Sequence, residues 1–163
     1  MAQVLHDAGN DVLLWGRSDE VVNEINSSHT NQKYLGAHVL PAELKATSDL
    51  AQAFGHSHIY VLAIPAQQLR TMLAEWKPLV AADSIVISTL KGIEISTQMR
   101  MTEIIEEMWG VTKVGVITGP NLADELVLRQ PAGAVAAAPT QDLADFIRSL
   151  FRTPYYRTYT SID

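Results

Sequence analysis

The chain has 163 residues, of which 47% are hydrophobic and 18% are charged, a composition typical of a globular protein with a buried core. Its formal net charge of -6 disfavours a general nucleic-acid or anionic-membrane surface, so we expect no nucleic-acid partner and no membrane insertion. The sequence has no cysteine, which excludes disulfides and thiol chemistry. Because the first residues also lack the pattern of a secretion signal, we expect a cytoplasmic protein.

Hydrophobic spacing and turn residues predict that strands and helices alternate along the whole chain. The predicted strands span residues 11–15, 44–47, 59–64, 85–90, 113–118, 132–138 and 155–160. The predicted helices cover residues 2–8, a segment through 21–25, 50–55, 66–77, 97–109, the region between 119 and 131, and 140–150. Residues 27–41 show no clear period and predict a long surface connection, which we expect residues 34–35 and 39–40 to attach to the core.

This alternation predicts an α/β fold. Each parallel connection between strands needs a crossover, usually a helix, so we expect a Rossmann-like, doubly wound and mainly parallel sheet. Neither a repeat nor a linker interrupts the pattern, and we therefore predict a single domain over residues 1–163.

Residues 84–94 place a lysine at the end of a buried strand. The apolar positions between residues 85 and 90 favour a strand covered on both faces, and Gly92 accepts a backbone conformation that larger residues resist. Ligands of open α/β sheets bind outside the carboxyl ends of the strands, where Lys91 could contact a phosphate. A solvated lysine in a turn is the alternative that these residues leave open.

The glycine-rich turn of a dinucleotide-binding domain lies between its first strand and first helix, and a ribose-contacting residue ends its second strand. No such turn precedes residues 11–15, so we interpret this segment as strand two of a sheet that lacks its first strand and glycine-rich loop. Arg17 follows it, and a guanidinium fits a 2′-phosphate better than an unphosphorylated ribose, which favours NADP over NAD. An exposed turn arginine is the alternative.

Two further strand-to-helix turns are candidate ligand contacts. Pro65 and its small neighbours would let a flat ligand approach the backbone. The alternative is that these residues only form an ordinary turn between a strand and a helix. In the later turn, Asn121 offers a carboxamide and Ala123 permits close approach, whereas the alternative is a capping turn in which Asn121 satisfies the helix end. We interpret Glu125 as supporting this turn rather than as an acid or base.

Metal and hydrolase chemistry find no support in the sequence. None of the five histidines has a histidine or acidic partner at ligand spacing, so we predict no metal site. The serines likewise lack the local pattern of a nucleophile elbow.

Several segments together resemble bacterial NAD(P)-dependent glycerol-3-phosphate dehydrogenases. They are residues 12–17, 25–26, 31, 34–35, 40–41, 46–50, 63–65, 91–94, 119–125 and 159–160. The most specific combination is Lys-Gly-Ile-Glu at 91–94 followed by Gly-Pro-Asn-Leu-Ala-Asp-Glu at 119–125.

The resemblance implies reduction of dihydroxyacetone phosphate to sn-glycerol 3-phosphate, which supplies glycerophospholipid synthesis. Cofactor contacts are expected at Arg17, Pro65, Lys91 and Ala123, and substrate contacts at Lys91, Gly119 and Asn121. Position 121 is more usually Ser or Thr in bacterial members of this family.

The resemblance also limits what this chain should do alone. The family's acid/base lysine belongs to a helical substrate domain, which we expect beyond Asp163. We therefore predict no catalytic residue in the chain, little turnover by the chain alone, and a homodimer as one assembly open to the full-length protein. The alternatives are another two-domain Rossmann reductase, acting on a keto or sugar acid, and a non-catalytic nucleotide-binding module.

Overall fold

The computed structural model describes residues 1–162, in which strands and helices alternate as predicted, except for two consecutive helices between the first and second strands. Strands β1 to β7 span Leu13–Trp15, Lys45–Thr47, Ile59–Leu62, Ile85–Ser88, Lys113–Thr118, Ala132–Ala138 and Tyr156–Ile162. Helices α1 to α8 span Ala2–Asp7, Asp19–Ser28, Gln32–Leu35, Leu50–His56, Leu69–Trp76, Met101–Trp109, Ala123–Val127 and Gln141–Leu150. Short 3-10 helices cover Ala66–Gln68 and Lys77–Leu79.

The chain forms two compact units. The first contains Met1–His56, Pro120–Ala134 and Ser149–Thr158, and the second contains Ser57–Gly119, Val135–Arg148 and the residues from Tyr159 onward. Strands β6 and β7 begin in the first unit and end in the second. That residues 1–163 form one incomplete dinucleotide-binding domain stays a prediction.

In the first unit, β1 and β2 form a parallel pair that packs under α2. The side chain of Ser18 accepts a hydrogen bond from the Val21 amide and caps the N-terminus of α2. The buried residues of this small core are Val22, Ile25, Leu40, Leu44 and Ala46.

The surface connection over residues 27–41 differs from its prediction in two ways. It contains the short helix α3 and a bridge between Thr30 and Val39. Leu35 and Leu40 attach it to the core, but Tyr34 and Val39 are both 64% exposed, so the attachment expected from those two side chains was wrong. Aromatic and β-branched character alone does not decide burial in a segment without a period.

In the second unit, β3, β4 and β5 are parallel neighbours, and β6 pairs with β5 in the antiparallel direction. Val86, Ile87 and Ser88 of β4 are all fully buried, as expected for a central parallel strand. Two amphipathic helices, α5 and α6, pack against each other, and the Trp109 indole donates a hydrogen bond to the Leu73 carbonyl at 2.8 Å.

Each of the two sheets contains part of a doubly wound strand order. The parallel pair β2-β1 fits strands three and two of the order 3-2-1-4-5-6, and the parallel run β3-β4-β5 fits strands four to six. No strand within residues 1–162 takes the first position. The predicted α/β class and mainly parallel sheet are confirmed, with the antiparallel β5-β6 pair as the exception.

Candidate functional site

Lys91 lies just beyond the carboxyl end of β4, and its side chain is exposed. The backbone before it is fixed, because the Thr89 amide and hydroxyl both donate to the Leu62 carbonyl, at 3.0 and 2.9 Å. Gly92 after it has a φ of +94°, a left-handed conformation that strains other residues. Within residues 1–162 the ammonium of Lys91 has no hydrogen-bond or ion-pair partner, so its charge is available to a ligand.

The loop over residues 91–100, called the Lys91 loop below, carries a buried carboxylate. Glu94 is 8% exposed, and Arg70 of α5 binds both of its oxygens, with Nε 3.0 Å from Oε1 and a terminal nitrogen 3.0 Å from Oε2. A second terminal nitrogen of Arg70 lies 2.8 Å from Oε1 of Glu107 on α6. The hydrogen bonds from Arg70, and then that from Thr97, lower the pKa of Glu94, so it is ionised at neutral pH.

Pro65 and the Lys91 loop are linked through one carboxamide. Pro65 precedes the 3-10 helix that contains Gln67. The Gln67 nitrogen donates to the Ile93 carbonyl at 2.9 Å, and its oxygen accepts from the Ile95 amide at 3.1 Å. The structure therefore joins two of the turns that the sequence analysis proposes as candidate ligand contacts.

Gln67, Arg70 and Glu94 had no assigned role in the sequence prediction. Arg70 and Glu94 are separated by 24 positions, a spacing that no helical or strand period can indicate. The only sequence signal was Glu94 itself, since it closes the Lys-Gly-Ile-Glu segment of the family resemblance.

Arg17 lies in the first unit, two residues after the last residue of β1. The Gly16 amide donates to the Thr47 carbonyl at 2.9 Å, which continues the pairing with β2 up to this position. The Arg17 side chain is exposed, and it has no partner in the part of the chain that the structure describes. Its guanidinium is thus free to bind an anionic group.

Asn121 follows β5, and the structure gives its carboxamide a specific partner. Its Nδ2 donates to the phenol oxygen of Tyr156 at 3.0 Å, while its Oδ1 is buried and finds no donor among residues 1–162. Burial raises the pKa of Tyr156 to about 12, so the phenol is neutral at physiological pH.

The capping alternative for Asn121 was wrong. The residue at the N-terminal cap of α7 is Leu122, and no side chain caps that helix. Ala123 begins α7 with an exposed methyl group, and Glu125 is half-buried in the same helix. Asn121 is therefore engaged with β7 rather than with the helix end.

The predicted contact residues divide between the two units. Pro65, Lys91 and Gly119 belong to the second unit, whereas Arg17, Asn121 and Ala123 belong to the first.

Three histidines, His6, His56 and His58, lie in isolated pairs with carboxylates, and Nε2 of His38 lies 3.0 Å from the carboxamide oxygen of Gln3. One example is His58, whose Nδ1 lies 3.3 Å from Asp83, with both side chains largely exposed. Over the described range 1–162, no three side chains of the metal-binding types gather in one place.

No helix in residues 1–162 has both the length and the apolar character needed to cross a bilayer.

The mostly parallel strands and the helices that connect them define an α/β protein of the Rossmann-like class. The chain belongs to the family described as NAD-dependent glycerol-3-phosphate dehydrogenase N-terminus, whose model matches residues 1–144. This confirms the resemblance found in the sequence.

Individual relatives agree with this family. The chain is 44% identical over 162 residues to a glycerol-3-phosphate dehydrogenase [NAD(P)+] of Streptomyces avermitilis, covering 98% of this chain and 48% of that protein. A solved glycerol-3-phosphate dehydrogenase of Saccharomyces cerevisiae is 26% identical, with a TM-score of 0.88 over 99% of this chain and 52% of the other. The enzyme from Coxiella burnetii, 24% identical, has a TM-score of 0.89 over 98% of this chain and 49% of the other, which shows the fold alone.

The chain spans about half the length of the curated relatives it matches.

Proposed function

We propose that the protein carrying this chain is an NAD(P)-dependent glycerol-3-phosphate dehydrogenase that reduces dihydroxyacetone phosphate to sn-glycerol 3-phosphate. The observation that carries this proposal is Lys91, an unpaired ammonium held on a fixed backbone at the carboxyl end of a central parallel strand. Family membership supplies the reaction class in which such a group would act.

The cofactor would be held by Arg17, Pro65, Lys91 and Ala123. The unpaired guanidinium of Arg17 suits a 2′-phosphate, which supports a preference for NADP over NAD. When bound, the nicotinamide supplies the hydride for reduction of the ketone. Pro65, which lacks an amide hydrogen and sits in an extended conformation, would offer a flat apolar surface next to it.

The phosphorylated substrate would be held by Lys91, Gly119 and Asn121. Lys91 would balance the charge of the phosphate and of the oxygen that gains negative charge during reduction. The free Oδ1 of Asn121 would accept a hydrogen bond from a substrate hydroxyl, because the other end of the carboxamide is already bound to Tyr156.

We assign no acid or base to residues of this chain. Glu94 is buried in its ion pair with Arg70, and the hydrogen bonds it accepts hold its pKa below the ordinary value, which is the wrong direction for a proton donor at neutral pH. Proton delivery would therefore come from another part of the full-length protein. We accordingly expect residues 1–163 alone to have little or no turnover, and we treat them as one incomplete dinucleotide-binding domain.

The test is oxidation of NADPH with dihydroxyacetone phosphate by the full-length protein. Lys91→Met removes the ammonium and is expected to reduce kcat/KM by roughly 100-fold or more. Lys77→Met is the matched control, since Lys77 is also exposed and lies at the end of α5. Wild-type kcat/KM in the Lys91 variant would contradict the assignment, and turnover by residues 1–163 alone would contradict the expected lack of activity.

The same assay distinguishes the alternatives. A two-domain reductase of another kind would prefer a keto or sugar acid in a substrate panel. A non-catalytic nucleotide-binding module would bind NADPH, measured by fluorescence, without oxidising it with any of these substrates.

A further inference from the structure

We propose that Arg70, Glu94 and Gln67 are positioning residues for Lys91, which together hold the Lys91 loop in the one conformation that presents the ammonium to a phosphorylated ligand. This inference rests on the proposed function, because it assigns a purpose to the fixed placement of Lys91. All four residues belong to the second unit.

The Lys91 loop closes on itself as a compact turn. The Glu94 amide donates to the Met99 carbonyl at 2.9 Å, the Gln98 amide donates to the Glu94 carbonyl at 2.8 Å, and Ile93 forms a bridge with Arg100. Gln98 has a φ of 61°, an uncommon conformation for a residue other than glycine. Such a conformation persists only where surrounding contacts impose it, and Glu94 lies at the centre of those contacts.

Arg70 anchors the turn from the inside. It binds both oxygens of Glu94 in the parallel geometry that a guanidinium and a carboxylate favour, and Glu94 is 8% exposed. The neighbouring contact with Glu107 fixes the guanidinium from the side of α6. Because two carboxylates occupy Arg70, its own charge is not available to a ligand, and a role in placing Lys91 accounts for it better than direct binding.

Gln67 anchors the turn from the outside. Its carboxamide pairs with the backbone of Ile93 and Ile95 on either side of Glu94, at 2.9 and 3.1 Å. Its own backbone is part of the turn that Pro65 begins. Movement of the Lys91 loop would therefore break its hydrogen bonds to the Pro65 turn. These bonds fix the position of the loop relative to that turn.

These contacts restrict the backbone that carries the flexible side chain of Lys91. Leu90 before it is buried, and Ile93 after it is held by Gln67, so the backbone on both sides is fixed. A lysine on a mobile loop would lose entropy each time it bound a phosphate, whereas a positioned one loses only side-chain freedom. Displacement by about 1 Å is enough to reduce a rate by roughly 100-fold.

The experiment compares two disrupting variants with matched controls in the full-length protein. Glu94→Gln removes the charge that Arg70 binds, with Glu106→Gln as its control on the exposed face of α6. Gln67→Met removes the two backbone hydrogen bonds at nearly constant volume, with the adjacent Gln68→Met as its control. Lys91→Met is measured in parallel.

The readouts are kcat and KM for dihydroxyacetone phosphate, the melting temperature, and hydrogen exchange of the amides from Gly92 to Arg100. We expect Glu94→Gln and Gln67→Met to raise KM for dihydroxyacetone phosphate roughly tenfold and to speed exchange in this segment. The two control variants should change KM by less than about twofold. Because Gln67 is exposed, its variant decides the question even if Glu94→Gln does not fold.

Each of three results would reject either the positioning role or the proposed function. Unchanged KM in both disrupting variants, with Lys91→Met impaired, would reject the positioning role and leave the proposed function intact. A lower melting temperature with unchanged KM would show a structural role only and would also reject it. Full activity of Lys91→Met would instead reject the role of Lys91 in the proposed function.

Discussion

The carboxamide nitrogen of Asn121 donates a hydrogen bond to the phenol oxygen of Tyr156 across 3.0 Å. Tyr156 is 1% exposed, and its ring packs against Phe151 with the centroids 6.4 Å apart, so the phenol oxygen is held in place. In this arrangement the carboxamide nitrogen is occupied, and Oδ1 is left without a donor among residues 1–162. The prediction for substrate binding at Asn121 therefore depends on Tyr156.

Tyr156→Phe keeps the ring and removes this hydrogen bond. We expect it to lower the free energy of unfolding by about 1 kcal/mol and to raise KM for dihydroxyacetone phosphate severalfold, because the carboxamide can then turn. Chemical denaturation and steady-state kinetics measure the two effects. Tyr34→Phe is the control, since Tyr34 is 64% exposed and its hydroxyl has no partner within residues 1–162. An unchanged KM would argue against Asn121 as a substrate contact.

A second prediction concerns stability in acid. Asp7 accepts hydrogen bonds from Arg129 at 2.8 and 3.0 Å and from the Tyr155 hydroxyl at 2.7 Å. Burial alone would raise the pKa of Asp7, but these hydrogen bonds outweigh it and the pKa is lowered. The ionised carboxylate thus stabilises the fold above its ordinary pKa of 3.8, and this stabilisation is lost as the pH falls through the lower value of the folded state.

Asp7→Asn should therefore lower the free energy of unfolding by about 1 kcal/mol at neutral pH, a modest value because Arg129 is half exposed. Urea denaturation at several pH values should show the difference from wild type shrinking below pH 3.8. Glu75→Gln, at an exposed position of α5, should show no such convergence. A difference that stayed constant from neutral to acid pH would contradict the role of the charge.

The cofactor preference makes a third prediction. Arg17→Asp reverses the charge at the end of β1 and should raise KM for NADPH roughly tenfold or more while leaving KM for NADH less affected, since only NADPH carries a 2′-phosphate. Arg152→Asp introduces the same charge change at another exposed position of the first unit. Equal effects of the two variants on the NADPH to NADH ratio would contradict a specific contact at Arg17.

A fourth prediction tests the packing of the sheet in the second unit. A Cβ added at Gly115 of β5 would overlap Cδ1 of the fully buried Ile147 and lie 3.0 Å from the Ala137 carbonyl oxygen. Gly115→Ala should destabilise the protein by roughly 1–3 kcal/mol. Gly133→Ala is the control, because the nearest atom to its added Cβ is 3.8 Å away.

A double variant can test whether the overlap with Ile147 causes the loss of stability at Gly115→Ala. Its free energy of unfolding is measured by denaturation. Ile147→Val removes Cδ1, so part of the stability should return when it is combined with Gly115→Ala. Purely additive losses would show that the backbone contact with Ala137, rather than Ile147, sets the cost.

The sequence predicts local order well where turn residues flank a regular pattern. Strands β5 and β6 occupy the predicted residues, 113–118 and 132–138, because prolines, glycines and polar residues bound both runs. Helix α6 begins at Met101 rather than at residue 97. The hydroxyl of Thr97 donates to Glu94 instead, which commits this segment to the turn rather than to the helix.

The candidate site was predicted only in part, for a physical reason. Strand ends locate Arg17 and Lys91, since ligands bind where parallel strands finish. The partners that hold the Lys91 loop lie on other elements, and Asn121 meets Tyr156 across 35 positions of sequence. Contacts of this kind depend on tertiary packing, which hydrophobic periodicity does not encode.

The turn after Lys91 reverses the usual distribution of side chains, because Ile93 and Ile95 are 50% and 79% exposed while the glutamate between them is buried. A mutation of either isoleucine to a polar residue removes little buried surface, so we expect such substitutions to be tolerated during evolution. Loss of Glu94 leaves the guanidinium of Arg70 with the Glu107 carboxylate alone, and loss of Arg70 leaves the buried carboxylate of Glu94 without its ion-pair partner. Among descendants of this sequence, the residues at positions 70 and 94 should therefore be substituted together or not at all. The residues at positions 93 and 95 should be substituted independently.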